Sequence, residues 1–170
     1  NAVFFGGFGR LQGVGFMTAA MILIILLYML SSAAYIVYFA VQTKFLSPLG
    51  YGILMTGFLL HSGLIGYQYV NIGQIPVQNL HQTLSFAAWA LAGVYLLLRF
   101  RFHLKILGAY TAPLATLIMI IAFCIPQTAA APSKILNSLW IVIHVGIIFI
   151  GEAALALAGG TGVLYLLQEH

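Results

Sequence analysis

Five apolar stretches, each about as long as a membrane is thick, leave this chain few ways to fold. A spanning helix needs ~20 largely apolar residues, and such runs fall at roughly 17–42, 50–70, 80–98, 104–125 and 139–167. Strands of a membrane barrel alternate apolar and polar residues, whereas Met21–Leu27 and Leu117–Phe123 are apolar on every side. In hydrocarbon the backbone must satisfy its own polar groups, and an uninterrupted apolar run does so as a helix. The expected fold is therefore all-α: a polytopic integral membrane helical bundle with about five transmembrane helices.

Composition closes the soluble alternative. With 63% hydrophobic and 5% charged residues and a mean hydropathy of +1.10, there are too few polar side chains to clothe a soluble globule. Six Lys/Arg stand against two Asp/Glu, but the cations fall in loops between the runs. That pattern reports topology and offers no nucleic-acid surface. A single cysteine, Cys124, permits no internal disulfide and no Cys-x-x-Cys haem-attachment motif within this sequence; beside Ile125-Pro126 it reads as a small buried side chain at a helix end. The first run is too long for a secretory signal and has no basic leader. Residues 1–16, rich in Gly and Phe, read as an interfacial lead-in, with Met17 as the expected start of a core domain over 17–170.

Short cytoplasmic loops collect Lys and Arg. Arg99, Arg101 and Lys105 mark the third connection as cytoplasmic, and Lys44 marks the first. The loop over 70–79 is uncharged and that over 126–138 holds only Lys134, so both are expected outside. The N-terminus is then outside and the C-terminus cytoplasmic.

Ionisable side chains inside these runs stand out, because one near the centre of a spanning helix costs roughly 2.5–3.5 kcal/mol on insertion scales. At 1.5 Å per residue, His61 lies ~16 Å from the cytoplasmic start of its run, near the midplane. His144 lies a turn or two inside the outer end of the last run. His81 sits at the outer start of the third, and His103 and His170 at the cytoplasmic edge. Membrane imidazoles ligate haem or metal, relay protons, or join helices. For His61 and His144 a functional role and a packing role stand level, whereas interfacial histidines are inexpensive and need no function. Glu152 follows His144 by eight residues, a rise of ~12 Å, so the two cannot bond on one helix. Trp140 precedes His144 by one turn, and Gly151, Ala154 and Ala158 follow. An aromatic floor and a small-residue groove suit a flat cofactor, but the same small-xxx-small series suits a closely packed helix. Around His61, Gly57 and Gln68 extend a stripe with one small and one polar residue. Asn79 with Gln82 forms a capping-box pattern that should start the third helix, and Pro113 should kink the fourth.

Four segments together resemble a known family. They are Gln74-Ile-Pro-Val-Gln-Asn79-Leu-His-Gln-Thr-Leu-Ser-Phe-Ala-Ala-Trp89, Leu107-Gly-Ala-Tyr-Thr-Ala-Pro113-Leu-Ala, Leu139-Trp-Ile-Val-Ile-His144-Val and Tyr165-Leu-Leu-Gln-Glu169. In this order they are similar to the cytochrome c assembly family, which includes the CcsA-, CcsB- and ResC-type haem exporters and synthetases and a HemX-like branch. The resemblance covers about residues 17–170 and implies the N-terminal half of a longer member in a bacterial inner membrane. It implies haem handling, with His144 matching the first external axial histidine and His61 a membrane-embedded histidine of the HemX-like branch. The candidate cofactor residues are His144, His61, Trp140 and His81, with His144 and His61 as ligands to the iron of a non-covalent, b-type haem and Lys134 beside a propionate. Implied partners are haem, apocytochrome c or other membrane subunits, and the lipid bilayer. The sequence departs from the family in lacking the Trp-rich external loop and the second external histidine. Gln82 stands in place of an acid and Glu152 in place of Tyr. No catalytic constellation is present. An anchor subunit of a respiratory complex, binding b-type haem or quinone, is the alternative; paired histidines several turns apart on one helix, frequent in two-haem anchors, are missing. A purely structural or regulatory membrane subunit is the third reading.

Overall fold

The structure, a computed structural model, describes residues 2–102, 104–126 and 138–169. Its described secondary structure is entirely helical: α1 Ala2–Val41, α2 Leu46–Ile72, α3 Leu80–Phe102, α4 Gly108–Cys124 and α5 Leu139–Glu169. The all-α membrane bundle expected from the apolar runs is what forms. Four helices are long and apolar enough to cross a membrane: Gly15–Val41, Leu46–Asn71, Leu80–Phe102 and Trp140–Val163. With 17 residues, α4 rises only ~26 Å, short of a ~30 Å hydrocarbon core.

Local chemistry sets the helix ends. At the end of α1, Gln42 takes a left-handed φ of 53° and its N–H donates to the Tyr38 carbonyl at 2.8 Å. At the end of α2, Gly73 adopts φ 72° and donates to Tyr69 O at 2.8 Å, a left-handed cap that a Cβ would strain. The expected cap of α3 is present: Gln82 N–H donates to Asn79 Oδ1 at 2.9 Å. Its return bond is displaced by one residue, with Gln82 Oε1 accepting from the N–H of Gln78 at 3.0 Å. Arg99 and Arg101 lie in the last turn of α3, where cations complement the helix dipole, and the helix runs on to Phe102. Ile125 ends α4 in extended conformation, φ −81° and ψ 130°, as the residue before a proline must. Cys124, expected to be buried there, is instead exposed.

The core lies among α1 to α4, around Met21, Tyr28, Tyr35, Leu54, Tyr95 and Met119. Tight approaches use glycines: a Cβ on Gly57 of α2 would lie 2.9 Å from the Tyr28 ring of α1. α5 attaches to α3 through Phe149, whose ring meets Phe86 edge-on at 5.0 Å, and to α4 where Gly160 receives the Tyr110 ring. It is the least covered helix, with 11% of its apolar window buried against 44% for α3. One end of the bundle carries Lys44, Arg99, Arg101 and Lys105 and is tied together by Arg99 Nη2, which donates to Ser47 O at 3.1 Å. The opposite end holds the turn from Gly73 to Asn79 and the start of α5.

Candidate functional site

Where each histidine goes follows from the helix that carries it. Because α2 starts at Leu46, His61 lies ~22 Å from its first residue and ~16 Å from its last, displaced from the midpoint away from the basic end. Its side chain is 0% exposed. Its Nε2 lies 3.0 Å from Ser85 Oγ of α3 and its Nδ1 3.3 Å from Tyr28 Oη of α1. Each ring nitrogen shares a hydrogen bond with a hydroxyl that can donate or accept, and the Ser85 hydroxyl also lies 3.8 Å from Met119 Sδ of α4. The imidazole thus joins α1, α2 and α3, with both ring nitrogens engaged, and Ser85 extends the link to α4. Gly57, one turn before His61, makes room for the Tyr28 ring that bonds it.

His81, read from the sequence as an inexpensive interfacial residue, is 4% exposed. Its Nδ1 lies 2.7 Å from the Ala122 carbonyl in the last turn of α4. A carbonyl only accepts, so Nδ1 carries the proton, and the bond gives the Ala122 carbonyl a second donor beside the Ile125 N–H at 3.2 Å. The lone pair of neutral His81 is therefore on Nε2.

His144 differs from both. It is exposed and makes no hydrogen bond to a described residue. At 100° per residue it lies ~140–180° around α5 from Phe149 and Ala153, which face the bundle. Trp140, 76% exposed, shares that outward face. Gly151 and Gly162 also meet nothing within 4 Å, and Ala154 and Ala158 are exposed. The groove read from the sequence exists, but it is turned away from α1–α4, and the bundle contact uses Ala153, Leu157 and Gly160 instead. Phe86 and Phe149 are in contact, so His81 and His144, each five residues before them, lie at one level ~7.5 Å farther toward the α5 start. His81 is buried against Ala122 of α4 whereas His144 is exposed on the outward face of α5. Among the described residues no three His, Cys, Asp or Glu gather as a metal site.

Glu152 is exposed at the flank of α5. It lines a small cavity of about 160 Å³ with Leu91, Leu114, Ile118, Phe149 and Ala156, and no described residue bonds its carboxyl. Lys134, His103 and His170 lie outside the described residues. Sequence reasoning missed Tyr28 and Ser85 as partners of His61; only the small Gly57 one turn away hinted that something bulky approaches there.

His144 thus stands beside Trp140 on an open face of α5, with Gly151 two turns on meeting nothing within 4 Å.

Comparison with known proteins bears on this arrangement. The profile of the family described as "Cytochrome C assembly protein" matches residues 77–170. The "Cytochrome c biogenesis protein CcsA" of Synechococcus elongatus is 30% identical over 112 residues, covering 64% of this chain and 34% of that protein. Its namesake from Synechococcus sp. strain JA-3-3Ab is 28% identical over 130 residues, 74% of this chain and 38% of the relative. That of Guillardia theta is 25% identical over 122 residues, 69% and 40%. The chain thus spans between a third and two fifths of the length of these curated relatives. No solved structure matches it.

Proposed function

Because this chain belongs to the cytochrome c assembly protein family, we propose that it is a haem-handling membrane protein of cytochrome c biogenesis, with His144 as an axial ligand near the outer face. The observation that carries the reading is the contrast among three histidines. His61 engages both ring nitrogens, with Tyr28 and Ser85, and buried His81 engages Nδ1 with Ala122 O, whereas His144 stands free on the open face of α5 beside Trp140.

Residues 139–145 fall inside the family match, and the start of α5 lies at the end of the bundle opposite Lys44, Arg99, Arg101 and Lys105. By the bias of cytoplasmic loops toward Lys and Arg, that opposite end faces outward. When bound, haem supplies an iron centre whose electronics the axial ligand tunes. The chain's own part is to present a neutral imidazole at fixed depth, to flank the macrocycle with the Trp140 ring and to leave it space above Gly151. His61 holds helices together in this reading, fixing the bundle against which α5 stands. Apocytochrome c and other membrane subunits are the proposed partners, and haem the proposed cargo.

The test is a pyridine haemochrome measurement on the purified protein with His144→Ala and His61→Ala variants. Haem lost with His144→Ala supports the reading. Haem absent from all three samples, or lost only with His61→Ala, contradicts it.

A further inference from the structure

Arg99 is a charged side chain that this fold half buries with no counter-charge among the described residues. Its Nη2 donates to the Ser47 carbonyl at 3.1 Å and lies 3.0 Å from Ser47 Oγ. Its guanidinium carbon stands 5.1 Å from the centre of the Tyr51 ring and 5.7 Å from that of Tyr35. Nη1 is buried with no acceptor. The whole sequence holds only two carboxylates, Glu152 and Glu169. Glu152 sits halfway along α5, and no ion pair reaches Arg99 among the described residues. A buried charged donor left without an acceptor is costly, and a planar guanidinium fork matches phosphate geometry.

The surroundings add positive potential and locate it. The first turns of α2 and α4 open at this end with no acidic residue and no side-chain cap, so their dipoles present positive ends beside Arg99. Lys44, Arg101 and Lys105 are exposed around it. Phe45, Phe100 and Phe102 are exposed in the same layer, a ring of aromatics of the kind that sits at headgroup depth. The anion present at that depth in every bilayer is the phosphodiester of a lipid, and basic pockets between helices hold such headgroups.

We propose that the junction between the start of α2 and the last turn of α3, centred on Arg99, binds the phosphate of an anionic phospholipid from the leaflet that covers the α1–α2 and α3–α4 connections. Tyr35 and Tyr51 clasp the faces of the guanidinium, Ser47 fixes one edge, and the phosphate takes Nη1 after a small rotation of the fork.

The experiment places the full chain in nanodiscs of phosphatidylcholine alone, with added phosphatidylglycerol, or with inorganic phosphate in the buffer. It reads the lipid retained after a detergent wash and the midpoint of thermal unfolding. Selective retention of phosphatidylglycerol and a raised midpoint are expected for the wild type and for Arg101→Gln, with loss of both in Arg99→Gln. Arg99→Lys, which keeps the charge without the fork, should retain less than wild type; if Arg99→Gln fails to fold, this variant and the wild-type lipid preference decide. Equal retention of the two lipids by the wild type would overturn the proposal, as would Arg99 variants that hold phosphatidylglycerol as well as Arg101→Gln does. An equal rise in midpoint with inorganic phosphate would assign the junction to free phosphate and overturn the lipid source.

Discussion

Replacing Gly57 by alanine tests whether His61 is held by Tyr28. A Cβ at position 57 would lie 2.9 Å from both Cδ1 and Cε1 of Tyr28 and 3.3 Å from Leu27 Cβ. Tyr28 is 0% exposed, so its ring can yield only by pressing into the packed core away from α2, which carries its hydroxyl off His61 Nδ1, already at a long 3.3 Å. Overpacking of this kind costs about 1–3 kcal/mol, and losing the bond adds about 0.5–1.5 kcal/mol. Alanine returns about 0.5–1 kcal/mol through its better helix propensity, leaving a net loss of about 0.5–4 kcal/mol, centred near 2. Gly66 on the same helix is the matched control, because a Cβ there meets nothing within 4 Å; Gly66→Ala should be neutral or slightly stabilising. Reversible unfolding in mixed micelles, followed by helical circular dichroism, measures both. In the Gly57→Ala background Tyr28→Phe should cost little more, since the bond it removes is already gone. Equal stability of the two alanine variants, or full additivity of Gly57→Ala with Tyr28→Phe, would refute the packing argument.

Three further outcomes are expected. Asn79→Ala removes the acceptor for Gln82 N–H and should cost about 0.5–2 kcal/mol in the same unfolding assay, with faster amide exchange confined to the first turn of α3. Gly160→Ala drives a methyl into the Tyr110 ring; the expected loss of about 1–3 kcal/mol should be largely relieved by Tyr110→Leu, whereas an unrelieved loss would mean that α5 docks elsewhere. Cys124, exposed at the end of α4 away from the basic loops, should react in intact cells with a membrane-impermeant maleimide added from outside; protection there with reaction after lysis would invert the proposed topology.

The sequence carried the helices because their cause is local. Each run needs only its own apolar residues and its own caps, which is why Asn79 and Gln82 could be read as a helix start before any packing was known. Contacts across helices left fainter marks. Tyr28 and Ser85 lie 33 and 24 residues from His61, and nothing in the spacing of a helix that is apolar all round says which face meets which neighbour. α5 shows the same limit: its small-residue stripe was visible, yet the bundle took the other face, through Phe149, Ala153 and Leu157. His81 read as an inexpensive interfacial residue because depth alone was counted. The Ala122 carbonyl that it bonds belongs to a helix ending 43 residues later in the chain, and only the tertiary structure brings the two together. Cys124 was judged by its residue type, and its exposure follows from α4 ending just there, ahead of Pro126.

The role of His144 is tested most directly by chemical rescue. His144→Gly removes the imidazole and leaves space where it stood. The purified variant should lose the Soret band of the wild-type protein and regain it on addition of free imidazole, while His61→Gln, though less stable, keeps its haem. An unchanged Soret band in His144→Gly, or a loss that imidazole leaves unrepaired, would contradict ligation by this residue.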